Sequence, residues 1–161
     1  MRHLHFGKLF FVVFSLLLAY TVSARKPIKT LLITGQNNHN WQVSHVVLKQ
    51  ILENSGRFDV DFVISPEQGK DMSGFVLDFS PYQLVVLDYN GDSWPEETNR
   101  RFLEYVQNGG GVVIYHAADN AFSKWPEFNR ICALGGWEGR NENSGPYVYW
   151  KDGKLGKDSS A

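Results

Sequence analysis

The sequence predicts a single α/β domain on a mostly parallel sheet. Residues 30–34, 82–87 and 112–115 form short, largely apolar runs of the kind buried on both faces of a sheet. Helix-period segments lie between such runs, as right-handed βαβ crossovers require. Each run gives way at its C-terminal end to Gly, Asp or His, so polar residues collect on one edge of the sheet.

In chain order, the first strand ends at Gly35, and residues 41–55 read as a helix with Val47, Leu48, Ile51 and Leu52 on its packed face. Residues 58–64 alternate Phe58, Val60, Phe62 and Ile64 with Asp59 and Asp61, which predicts a strand near a sheet edge. A polar loop spans residues 67–73. After the third strand, Ser93 and Glu96 stand at capping-box spacing, Pro95 falls near the first helical turn, and Glu96 and Glu97 favour the positive end of the dipole. That helix packs through Phe102, Leu103 and Val106. Gly109, Gly110 and Gly111 then stop it, ahead of the fourth strand. A short helix over 125–134, a turn at Gly135 and Gly136 and a strand over 147–150 follow. Residues 154–161 read as a flexible tail with nothing to bury.

Residues 1–24 are expected to be a cleaved export signal. Arg2 and Lys8 flank a basic start, and the apolar run from Leu9 to Tyr20 is about 12 residues, short of the roughly 20 that span a bilayer. Val22, Ser23 and Ala24 provide the short residues of a cleavage site. The expectation is therefore a periplasmic or secreted protein with no permanent membrane span. Formal net charge is −1 for the whole chain, and removing the signal takes away two basic residues and no acid. A mildly acidic domain has no basic stripe for nucleic acid. Cys132 is the only cysteine, flanked by Ile131, Ala133 and Leu134; it reads as a small buried hydrophobe that has no internal disulfide partner.

Ligands of open parallel sheets bind beyond the carboxyl ends of the strands. There the first strand leads into Gln36, Asn37, Asn38, His39 and Trp41, the third into Asp88, Asn90 and Trp94, and the fourth into His116, Asp119 and Asn120. Amides and carboxylates bind hydroxyls directionally, and indole faces cover the apolar side of a sugar-like ring. His39 and His116 are candidates for acid–base work, with Asp88 or Asp119 to orient them. Turn and cap formation accounts for Asn, Asp and Gly singly but does not call for the His and Trp. A divalent metal stays open, although Asp88, Asn90 and Asp92 do not complete a calcium loop. His45 reads as structural. No Gly-x-Gly-x-x-Gly, Walker or Gly-x-Ser-x-Gly motif is present.

Three segments together resemble the ThuA-like (trehalose utilisation) family: residues 31–41 (LLITGQNNHNW), 84–91 (LVVLDYNG) and 109–120 (GGGVVIYHAADN). Phe128, Asn129 and Arg130 with residues 134–137 (LGGW) extend the likeness, which covers roughly residues 28–153 and implies the N-terminal portion of one ThuA-like domain over residues 25–153. The resemblance implies the class I glutamine amidotransferase-like fold, a flavodoxin-like three-layer sandwich. It also implies a carbohydrate role, such as processing a 3-keto glycoside. His116 stands where amidotransferases carry their cysteine, which argues against cysteine-dependent glutamine hydrolysis. The family domain continues past the length seen here, so a C-terminally truncated sheet is expected. Two functions follow: an enzyme acting on a small carbohydrate ligand, or a non-catalytic sugar-binding domain or inactive remnant. No cofactor is required by these residues, and a homo-oligomer is left open.

Overall fold

The computed structural model describes residues 26–133 and 146–158. Four strands, β1 (Ile28–Thr34), β2 (Phe58–Ile64), β3 (Leu84–Leu87) and β4 (Gly111–Ile114), form a parallel sheet in the order β2-β1-β3-β4. Helices α1 (Trp41–Asn54), α2 (Glu96–Gln107) and α3 (Pro126–Cys132) complete an α/β architecture consistent with the flavodoxin-like sandwich. β2 lies at one edge, as its alternation predicts. Its Asp59 and Asp61 both reach Lys29 of β1 at 3.0 Å, so the acidic positions pair across the strands.

The period-two geometry of the strands divides the core in two. On one face, Leu31, Ile33, Val85 and Leu87 pack with Phe102 of α2 and Phe128 of α3, together with Phe75, Phe79, Tyr89 and Trp94. On the other, Leu32, Val60 and Val86 meet Leu48 and Leu52 of α1. Each large apolar side chain buried completely contributes about 1.5–3 kcal/mol, so the aromatic-rich first face supplies most of the stabilisation. Thr98 ties the long β2–β3 connection onto α2: its Oγ1 donates to Phe75 O at 2.7 Å and accepts from Leu77 N at 3.2 Å.

Four expectations need correction. Val47 and Ile51 of α1 are exposed rather than packed, because the sheet-facing stripe of this helix runs through His45, Leu48 and Leu52. Ser93 does not cap α2: Pro95 itself occupies the N-cap position and no side chain caps the helix. Glu96 and Glu97 do sit in the first turn, where the helix dipole favours acids. Cys132 is half-buried rather than fully enclosed. Residues 154–158, expected as tail, form strand β6 (Lys154–Asp158), paired antiparallel with β5 (Tyr147–Lys151). A hairpin needs no buried face to satisfy its backbone, which is why composition alone concealed it. The expected signal at 1–24 and the turn at Gly135 and Gly136 lie outside the described residues. Among those described, no helix is long and apolar enough to cross a membrane.

Candidate functional site

The C-terminal ends of β1, β3 and β4 bring three loops together. The first departs from β1 through Gly35, whose φ of +121° suits glycine and whose missing Cβ leaves room for Ser65. Gln36 turns inward: its Nε2 donates to Pro66 O at 2.8 Å, and its Oε1 accepts from Asp92 N at 2.7 Å. Asn90 N also donates to Gln36 O at 2.8 Å. Gln36 therefore fastens the β1 loop to the β3 loop and is buried away from any ligand. This corrects its expected substrate role.

Asp88 is also a fastener. It is fully buried and accepts hydrogen bonds from Asn37 Nδ2 at 3.1 Å, Ser44 Oγ at 2.5 Å and Thr34 Oγ1 at 3.4 Å. Burial raises its carboxyl pKa above the ordinary value, opposed by the hydroxyls of Ser44 and Thr34, the charge of His45 and the Asn37 amide. With these contacts and this burial, Asp88 positions Asn37 and the first turn of α1 rather than meeting substrate. Asn37 in turn accepts from His39 N at 3.0 Å, and Asn38 Oδ1 accepts from Asn90 Nδ2 at 3.2 Å.

Above this layer stand the imidazoles. The rings of His39 and His116 lie 5.2 Å apart, on loops separated by almost half the sequence. His116 Nδ1 is 3.1 Å from Asp119 Oδ1, with the His116 side chain 70% exposed and that of Asp119 24%. A carboxylate on one ring nitrogen fixes the tautomer and leaves the other nitrogen free to exchange a proton. Asp119 belongs to a single 3-10 turn, Ala118–Asn120, so its spacing to His116 is set locally.

Asn90 and Asn120 line a cavity of about 750 Å³ beside these groups, with Phe122 and Trp125 supplying aromatic wall. Phe122 holds a left-handed backbone at φ 52°. Trp41 is half-buried at the start of α1, its ring 5.9 Å from that of His45. His45 is structural: its Nδ1–H donates to Trp41 O at 2.6 Å within a buried setting.

Trp94 departs furthest from expectation. It is only 3% exposed and packs against Phe122 at 4.8 Å and against Tyr89 and Phe102 at 5.7 Å between centroids. It is a core residue and covers no ligand. Two features had no sequence-level mark: Ser44, which looks like any polar helix residue, and the Phe122–Trp125 wall, which looks like core. Asp88, Asn90 and Asp92 do not converge as ligands, since Asp88 is spent internally and Asp92 Oδ2 accepts from Gly69 N at 2.5 Å. Among the described residues, no three His, Cys, Asp or Glu side chains are grouped to hold a metal.

No protein-family model matches the chain, and no curated protein matches it. A crystal structure of a protein assigned as ThuA-like, from Parabacteroides merdae ATCC 43184, is similar to it at 99% identity with a TM-score of 0.79. The match covers 84% of this chain and 48% of the relative, so the chain spans about half the relative's length.

Proposed function

Because the chain belongs to the ThuA-like family, we propose that its polar sheet edge binds a sugar derivative, such as a 3-keto glycoside, and works on it by acid–base chemistry. The observation that carries this reading is the His116–Asp119 pair with the His39 ring 5.2 Å from that of His116; Asp119 shares its 3-10 turn with Asn120, which lines an amide- and aromatic-walled cavity. A ketone acidifies the hydrogen on the neighbouring carbon, so one positioned imidazole suffices as base. His116, oriented by Asp119, takes that proton. The glycosidic C–O bond then breaks as the ring carbons form a double bond, and His39 returns a proton to the departing oxygen. Asn37, Asn38, Asn90 and Asn120 offer hydroxyl partners, and Trp41 an aromatic face at the rim.

Cysteine chemistry has little support. Burial pushes the Cys132 thiol up to about 11, with Asp119 adding to the effect, so little thiolate exists at neutral pH. The apolar run at residues 9–20 supports export as part of the same proposal. Purified chain and the full-length relative, given 3-keto disaccharides, should release free sugar. Replacing His116 with Ala should lower kcat at least about 100-fold, and Asp119→Asn should lower it with KM little changed. Absence of turnover in both proteins would sink the enzymatic reading.

A second reading is sugar binding without turnover, which the lack of an activated nucleophile at the described edge supports: Cys132 is held as the thiol and Asp88 is spent on Asn37 and Ser44. Calorimetric binding that survives His116→Ala, without sugar release, would support that reading.

A further inference from the structure

The cavity of about 750 Å³ that Asn120 lines falls within the roughly 300–1,000 Å³ of small-molecule sites. Its wall is drawn from three places: Asn90 from the loop after β3, Asn99 from the start of α2, and Asn120, Phe122, Lys124 and Trp125 from the segment after β4. No carboxylate is among the described lining residues, and Lys124 brings the charge. In a chain with 17 acids against 16 Lys and Arg, that lining is locally electropositive. Lys29, Lys49, Arg100 and Arg101 are each held by acids, whereas Lys124 is exposed and forms no ion pair among the described residues.

Asn99 adds an unmet acceptor. Its Nδ2 donates to Trp94 O at 3.5 Å, which sets the amide's orientation, because the reverse would place two carbonyl oxygens together. Asn99 Oδ1 is then buried with no hydrogen-bond partner among the described residues. An acceptor in that position is destabilising until a donor reaches it, and a hydroxyl in the cavity is such a donor. The aromatic wall is held in place from behind. Trp125 stacks on Phe128 at 5.6 Å and 22°, and Phe122 meets Trp94 at 4.8 Å and Phe128 at 4.9 Å. A wall fixed in this way loses little freedom when a ring settles on it.

We propose that this cavity is a subsite for an acidic sugar: Asn99 Oδ1 accepts from a ring hydroxyl, Phe122 and Trp125 flank the ring, and the Lys124 ammonium pairs with an anionic substituent, a carboxylate or a phosphate ester. The charge preference rests on the sugar-binding reading above and sharpens it, since that reading leaves the ligand's charge open. Amides and aromatic walls alone would accept a neutral sugar equally well. Lys124, in a lining without acids, is what selects an anion and repels an amino sugar. An exposed ammonium works through screened charge, so its preference is about fivefold at low salt and fades as salt rises.

Calorimetry of this chain with four probes tests it: cellobiose, cellobiouronic acid, cellobiose 6′-phosphate and a neutral 3-keto disaccharide. The acid or the phosphate should bind at least about fivefold more tightly than cellobiose at low salt, with the gap closing at high salt. Lys124→Gln should bring these three to within about twofold of one another, and Asn99→Ala should weaken all of them about tenfold. Tighter binding of the carboxylate identifies a uronic acid as the ligand, and tighter binding of the phosphate identifies the ester. Cellobiose binding as tightly as both anions, or a preference that survives Lys124→Gln, would overturn the proposal. Binding of the neutral 3-keto disaccharide in that case would leave the sugar-binding reading standing, whereas binding of none of the four would overturn both. If Asn99→Ala fails to fold, Lys124→Gln, at an exposed position, still decides.

Discussion

Trp94 and Trp41 stand at similar places in the sequence, each just beyond a strand among Asn, Asp and Gly, yet their environments are opposite. Trp94 folds under its loop into the cluster of Tyr89, Phe102 and Phe122, while Trp41 stays at the rim. Truncating Trp94 to Ala should therefore cost about 3–5 kcal/mol in urea unfolding, whereas Trp41→Ala should cost far less. Asp88 carries a pH signature. Its folded-state pKa is raised by burial, so the folded chain holds this proton to higher pH than the unfolded chain does. Stability contributed by the protonated form is lost as pH rises from the ordinary carboxylate value through the raised one, and the penalty persists above it. Urea midpoints measured against pH should fall through that window in the wild type and be flatter in Asp88→Asn; parallel profiles would refute the assignment. Cys132, with its thiol at about 11 against an ordinary 9.0, should alkylate at pH 8 about 100-fold more slowly than a free thiol.

At the scale of elements, the strands and helices of the sheet were legible because each combines a period with a stop. β2 was readable to the residue from its alternation, and α1 to within a residue at its C-terminal end. What periodicity did not disclose was which face of α1 meets the sheet, since Val43, Val46, Val47 and Ile51 make it apolar nearly all round. The cap of α2 was misread because Pro95 moves the helix start past the reach of Ser93. The β1–α1 turn depends on Gly35. A Cβ there would lie 2.5 Å from Ser65 N, at a φ that side chains avoid. Gly35→Ala should cost more than about 2 kcal/mol in thermal unfolding, and an unchanged melt would show that the loop can move.

Over the whole molecule, the polar edge was foreseeable from the three loop sequences, but its layering was not. Residue types alone do not separate Asp88 and Gln36, which fasten the loops together, from His39, His116 and Asp119, which reach solvent. That division arises from register: β1 and β3 run side by side, so Asp88 falls beneath Asn37 and Ser44, while the 3-10 turn after β4 lifts Asp119 to His116. A second cavity of about 610 Å³ opens at the opposite, N-terminal edge among Asp78, Arg101 and Tyr105, and it provides an internal contrast. The most direct measurement is a nuclear magnetic resonance titration of this chain with a 3-keto disaccharide, following backbone amides and imidazole signals. The account predicts shifts at residues 37–41, 90, 116–120 and 125, including both imidazoles of His39 and His116. Shifts confined to the Asp78–Arg101 edge, or none at saturating sugar, would contradict it.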